Sequence, residues 1–231
     1  MSRSVLHRTL RSSKVFLTYS PHIQSQRKTF VTLPGTEAQS LSATRILPYH
    51  SSSLYTLIAD VDSYSSFLPY CVESKVNKWS EPDCNGKRWP AEADLKVGWG
   101  GFEEKFTSRL FCVPGSVVEA LGGEAMTTLP QSDLSHHSAT FDAPAVANSI
   151  FQSISTRWTV KPYHYQPSSR SQMGKTPLSP RDRTEVHLTI DFQFSNPIYA
   201  ALSKAVAPKV AAIMIEAFEV RARKLLDSQE V

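Results

Sequence analysis

Period-two alternation is cleanest over Thr184–Ser195. There Val186, Leu188, Ile190, Phe192 and Phe194 interleave with Glu185, His187, Thr189, Asp191 and Gln193. The same rhythm runs through Arg88–Trp99, with Trp89, Ala91, Ala93, Leu95, Val97 and Trp99 on one side. It returns in Phe102–Val113, where Phe102, Glu104, Phe106, Ser108, Leu110 and Cys112 share a face, and in Ile150–Pro162, where Ile150, Ile154, Thr156, Trp158 and Val160 do. Glu73–Trp79, Ser116–Leu121 and an early segment around Ala43–Pro48 complete the predicted strands. Alternation of this kind predicts an antiparallel sheet with one covered and one wet face.

Helical spacing takes over at both ends of the strand series. Leu54, Leu57, Ile58 and Val61 recur at helical period behind serines able to cap, and a second short turn starts at Asp62–Tyr64 and stops at Pro69. Near the C-terminus, Val206, Val210, Ile213, Met214, Ala217, Phe218 and Leu225 form an apolar stripe opposite Lys204, Lys209, Glu216, Glu219, Arg223 and Lys224. Asn196 is a good N-cap and Pro197 suits the first helical position. Pro208 lies inside the pattern and predicts a break between a short helix, 198–206, and a long one, 209–226. One strand, two short helices, about six strands in a meander and a long helix make an α+β domain. Two stretches interrupt the rhythm: Gly122–Asn148, read as a loose insertion in a hairpin, and Tyr165–Arg183, a loop rich in Ser, Pro and Arg.

Charge divides the chain. The net charge over 231 residues is +4, yet the first acidic residue is Glu37, and Arg3, Arg8, Arg11, Lys14, Arg27 and Lys28 precede it among many Ser and Thr. Residues 1–36 are therefore expected to be a mitochondrial transit peptide. The remaining domain, residues 37–231, carries −2 once those six cations are set aside. That balance weakens any nucleic-acid reading, which would want a basic face in the folded part, and no nucleic-acid partner is expected. The three cysteines, Cys71, Cys84 and Cys112, have no CxxC spacing, which argues against a disulfide framework or zinc site. No apolar run is long enough to span a bilayer.

Catalytic signatures are absent: there is no GxSxG, HExxH, phosphate-cradling loop or GxGxxG after a strand. His136-His137 falls in the loose insertion and is expected to be solvated. Glu104, between Phe102 and Phe106, is the interior carboxylate the pattern offers. It serves either as a polar contact or acid–base group for a ligand, or as a structural partner of an arginine. Trp89, Trp99, Phe106, Trp158, Phe192, Phe194 and Phe218 point inward, a load that suits an apolar pocket and equally a closed core.

The segment Tyr55-x-x-Ile58-Ala59-Asp60-Val61-x-x-Tyr64-x-x-Phe67-Leu68-Pro69-Tyr70-Cys71 resembles a signature of the mitochondrial coenzyme Q-binding proteins. These belong to a START-like, helix-grip group that includes polyketide cyclases. Phe106-Thr107-Ser108-Arg109, Trp158, Asn196-Pro197-Ile198-Tyr199 and Phe218-x-x-Arg221-Ala222 extend the likeness over residues 43–226. The two long loops depart from it.

The resemblance implies a curved antiparallel sheet wrapped around the long C-terminal helix, with a hydrophobic tunnel between them. It implies ubiquinone as bound ligand rather than catalytic cofactor, a non-enzymatic role in respiration and quinone synthesis, and peripheral contact with the matrix side of the inner membrane. With the predicted facing, the expected pocket draws Phe67, Leu68 and Tyr70 from a lid. Trp99, Glu104, Phe106, Ser108, Trp158 and Phe194 come from the sheet, and Tyr199, Val210, Met214 and Phe218 from the helices. The competing expectations are a cyclase using Glu104 and a scaffold protein with a vestigial pocket.

Overall fold

In a computed structural model, the residues described are 37–99, 101–141, 150–163, 183–203 and 207–229, without the side chains of Trp99 and Phe102. The expected leader, residues 1–36, and all but the last residue of the Tyr165–Arg183 loop lie outside them.

Seven strands form one antiparallel sheet: β1 (Gln39–Leu47), β2 (Cys71–Trp79), β3 (Pro90–Trp99), β4 (Phe102–Val113), β5 (Val117–Gly123), β6 (Phe151–Pro162) and β7 (Thr184–Phe194). Their spatial order is β1-β7-β6-β5-β4-β3-β2, so hairpins connect β2 through β7 and the first strand closes beside the last. The crossing from β1 to β2 carries α1 (Ser51–Ala59) and a 3-10 turn (Val61–Ser66). The cap of α1 is His50, whose side chain accepts the Ser52 N–H, rather than one of the serines. Tyr64 donates from its buried hydroxyl to the Ile58 carbonyl and ties the turn back onto α1.

The C-terminal helices follow the predicted break. Asn196 Oδ1 accepts the Ile198 N–H at 2.8 Å, and α3 (Pro197–Ser203) starts at the proline. A 3-10 turn, Ala207–Lys209, contains Pro208 and leads into α4 (Val210–Leu226). The stripe of α4 is rotated from the expected one. Ala211, Ile215, Phe218 and Ala222 are its buried residues, while Val210 and Met214 lie at the side of the stripe. Alanines at 211 and 222 let the helix approach the sheet closely, and Phe218 packs on Trp158 with centroids 5.3 Å apart. Burying a side chain such as Phe218 contributes about 1.5–3 kcal/mol.

The opposite sheet face corrects two expectations. It is not wet throughout, and the insertion is not loose where it is described. Gln131–His137 forms a 3-10 turn, Ser138–Phe141 forms α2, and Leu134 is buried with Phe111 and Leu121. His136 and His137 are buried rather than solvated. His136 Nε2 lies 2.9 Å from the Cys112 carbonyl, and His137 Nε2 accepts the Cys112 N–H at 3.1 Å. Burial, with His136 as a lesser cause, pulls the His137 pKa down to about 3. Glu119 is fully buried on this face and accepts from Arg157 Nε at 2.9 Å, so Glu104 is not the chain's one interior carboxylate. The unbroken apolar run Leu110-Phe111-Cys112-Val113 was the sequence signal that both faces of β4 are covered.

Candidate functional site

The sheet, the Leu68–Cys71 loop and the helix pair enclose a half-open cavity of about 210 Å³. Its sheet wall includes Leu95, Val97, Phe106, Leu110, Val118, Ala120, Ile154, Trp158, Ile190 and Phe192. Ser203 of α3, Ala207, and Val210 and Met214 of α4 close the other side. An apolar cavity of about 150 Å³ stays dry and takes up benzene, so this one has room for a six-membered ring.

Strand geometry explains the wall. Inward-facing residues on β4 run Glu104, Phe106, Ser108, Leu110, Cys112. The first two are partly exposed, and Ser108, Leu110 and Cys112 are 3%, 1% and 0% exposed. The open end therefore lies toward Glu104 and the closed end toward Cys112. A bulge in β6 skips Gln152 in the pairing with β7, which turns both Phe151 and Ile154 inward although they are three residues apart. Phe151 then stacks on Phe194 at 5.2 Å and meets Phe106 edge-on at 5.7 Å. Strict alternation gave no hint of Phe151.

Of the expected pocket residues, Leu68, Tyr70, Phe106, Ser108, Trp158, Phe194, Val210 and Met214 line the cavity. Four others are corrections or lie elsewhere. Phe67 sits between the two inner core clusters, edge-on to Tyr64 and under the Arg221 guanidinium at 5.6 Å, and is not in the wall. Phe218 is 1% exposed and fills the core behind Trp158. Glu104 and Tyr199 are engaged with each other: the phenol donates to Glu104 Oε1 at 3.0 Å, joining α3 to β4 at the rim. That bond, with some desolvation, raises the Tyr199 pKa. The Trp99 side chain is outside those described.

Polar groups in the wall fall into two sets. Tyr64 is bonded to Ile58, Cys71 Sγ donates to the Glu73 carbonyl at 3.5 Å, and Ser203 Oγ donates to the Ala200 carbonyl at 3.2 Å. Burial raises the phenol pKa of Tyr64 and the thiol pKa of Cys71, so neither is a ready base or nucleophile. Ser108 and Thr156 also line the cavity, and among the described residues neither hydroxyl has a hydrogen-bond partner. At the rim, Tyr70 is 40% exposed and has φ 66°, a left-handed conformation that costs a non-glycine residue about 1–3 kcal/mol. Its carbonyl accepts the Gly98 N–H at 2.9 Å and holds the loop to β3. No group of three or more His, Cys, Asp or Glu among the described residues is arranged to hold a metal ion.

This geometry has counterparts. The family described as polyketide cyclase / dehydrase and lipid transport matches residues 47–219. The mitochondrial coenzyme Q-binding protein coq10 of Schizosaccharomyces pombe is 30% identical over 181 residues, covering 78% of this chain and 85% of that protein. Its namesake in Eremothecium gossypii is 27% identical over 201 residues, covering 86% and 80%. Among solved structures, the Zhui aromatase/cyclase from Streptomyces sp. R1128 superposes with a TM-score of 0.54 at 15% identity, over 82% of this chain and 96% of that one. At that identity the likeness speaks for the START-like, helix-grip fold alone. By fold, by matched span and by its curated relatives, the chain belongs to the polyketide cyclase / dehydrase and lipid transport family and, within it, to the mitochondrial coenzyme Q-binding proteins.

Proposed function

We propose that this protein binds ubiquinone in the cavity between sheet and C-terminal helices, and acts as a chaperone or carrier supporting mitochondrial respiration and ubiquinone biosynthesis. The observation that carries the reading is the half-open cavity of about 210 Å³, walled by aromatic and aliphatic side chains with a few hydroxyls. Burying one five-carbon isoprene unit is worth on the order of 3–4 kcal/mol at about 0.8 kcal/mol per methylene. A bilayer offers the tail the same gain, so net transfer is far smaller, and cargo can be released as well as loaded.

Binding is favoured over turnover because Glu104, the acid or base of a cyclase reading, is held by Tyr199 at the rim and does not line the cavity. Residues 1–36 serve as the import leader. Exposed Tyr70, beside cavity-lining Leu68 and Pro69, and Ile198, 66% exposed on α3, provide apolar contact with the matrix side of the inner membrane. The test is mass spectrometry of an organic extract from protein purified out of quinone-producing cells. Ubiquinone at near-stoichiometric amounts is expected; its absence refutes the proposal. Liposome flotation, with Leu68→Asp as comparison, tests the membrane contact, and import of a reporter carrying residues 1–36 tests the leader.

A further inference from the structure

The two unpartnered hydroxyls have a geometric relation that deepens the ubiquinone reading and rests on it. Ser108 is on β4 and Thr156 on β6, with β5 between them. In register, Ala120 stands beside Leu110 and Thr156, while Gly122 stands beside Ile154 and, continuing the ladder, Ser108. The two hydroxyl positions are thus two strands apart, about 10 Å, and one inward-facing step apart, about 7 Å, for a backbone separation of about 12 Å. The positions between them on β5 are alanine and glycine, the smallest side chains available, so the floor there is flat.

A 1,4-benzoquinone ring matches this frame. Its two carbonyl oxygens are roughly 5 Å apart, the ring width plus two C=O bonds of about 1.23 Å each. Two hydrogen bonds of about 2.8 Å extend that span to about 11 Å. Depth supports the same assignment. Ser108 lies two inward-facing steps below Glu104, about 13 Å along the strand, and is 3% exposed. Ser108 and Thr156 line the cavity with no hydrogen-bond partner among the described residues, whereas the polar pair at the rim, Glu104 and Tyr199, already satisfies itself. The cavity-lining hydroxyls that lack a partner therefore lie deeper than this rim pair.

We propose that Ser108 and Thr156 form a bracket for the two carbonyl oxygens of the quinone ring, which enters first and lies over Ala120 and Gly122, while the isoprenoid tail leaves through the opening beside Tyr70. Each hydroxyl donates to a quinone carbonyl or accepts from a quinol hydroxyl, so the bracket holds oxidised and reduced ligand alike. The head-first pose also reconciles a cavity of about 210 Å³ with a long tail, because most of the tail stays outside.

The experiment measures binding of two ligands to the full chain: a ubiquinone with two isoprene units, and a prenyl hydrocarbon of the same tail length without the ring. Ser108→Ala and Thr156→Val remove the hydroxyls with little change of shape, and Thr156→Ser retains one. Each lost hydroxyl is expected to weaken quinone binding about three- to tenfold, with the ringless hydrocarbon unaffected and Thr156→Ser within about twofold of wild type. Quinone affinity unchanged in the double variant, or equal losses for both ligands, overturns the bracket while the ubiquinone reading stands. Failure of the wild-type chain to take up the quinone at all overturns both.

Discussion

Filling the cavity should trade ligand binding for stability, and Ala120 is where to do it. Ala120 lies on β5, the fourth of seven strands, and lines the cavity. Ala120→Ile adds three carbons to empty space and places a β-branched residue in a central strand, where it is favoured. At about 0.8 kcal/mol per buried carbon the gain is about 2.4 kcal/mol. Fixing the isoleucine rotamer costs about 0.5–1 kcal/mol, leaving about 1.5 kcal/mol. For a domain of this size that raises the melting temperature by about 3–6 °C. The assay pairs thermal unfolding of the ligand-free protein with titration of short-tailed ubiquinone. The expected result is higher Tm and loss of binding. A fall of several degrees would mean that side chains already fill the space. Unchanged affinity would mean that the ligand sits elsewhere, and either result refutes the reasoning.

Three further outcomes follow from the rest of the fold. Arg157→Met should destabilise by about 3–5 kcal/mol in urea unfolding, because it strands the fully buried Glu119 carboxylate; Glu119→Leu in the same chain should recover most of the loss. His137 is held neutral in the fold, with its pKa depressed to about 3 from an ordinary 6.5. The unfolded chain therefore takes up a proton below pH 6.5 that the folded chain refuses. Stability falls as pH drops from about 6.5 toward about 3, by about 2 kcal/mol between pH 7 and pH 5, and His137→Gln should flatten that slope in acid unfolding curves. Tyr199→Phe removes the phenol that holds α3 to Glu104. Amide hydrogen exchange in α3 should accelerate while β7 stays protected.

Much of this protein is written in local pattern. Period-two alternation located β3, β4, β6 and β7, shorter segments between turn signals located the other three strands, and the spacing of Leu54, Leu57 and Ile58 located α1. Asn196, Pro197 and Pro208 located the start of α3 and the break before α4, because caps and proline act within a few residues of themselves. What local pattern does not carry is which side of an element meets which partner. The α4 stripe was legible, but its deepest line, Ala211, Ile215, Phe218 and Ala222, depends on how closely the helix sits against Trp158. Phe151 faces the cavity because of one skipped pairing partner in β6. His136, His137 and Glu119 were legible as residues but not as buried ones, since their burial requires the 131–141 segment to fold back over the outer face.

The seven strands, α1, the C-terminal helices, their order and the family were legible in the chain, since each depends on nearest neighbours or on motifs many residues long, whereas the 3-10 turn and α2 at 131–141 were not. Whether the aromatic interior closes or stays open could be read from the folded chain alone. Cavity volume is a small difference between large volumes contributed by strands far apart in sequence, and here it leaves about 210 Å³ over Ala120 and its neighbours.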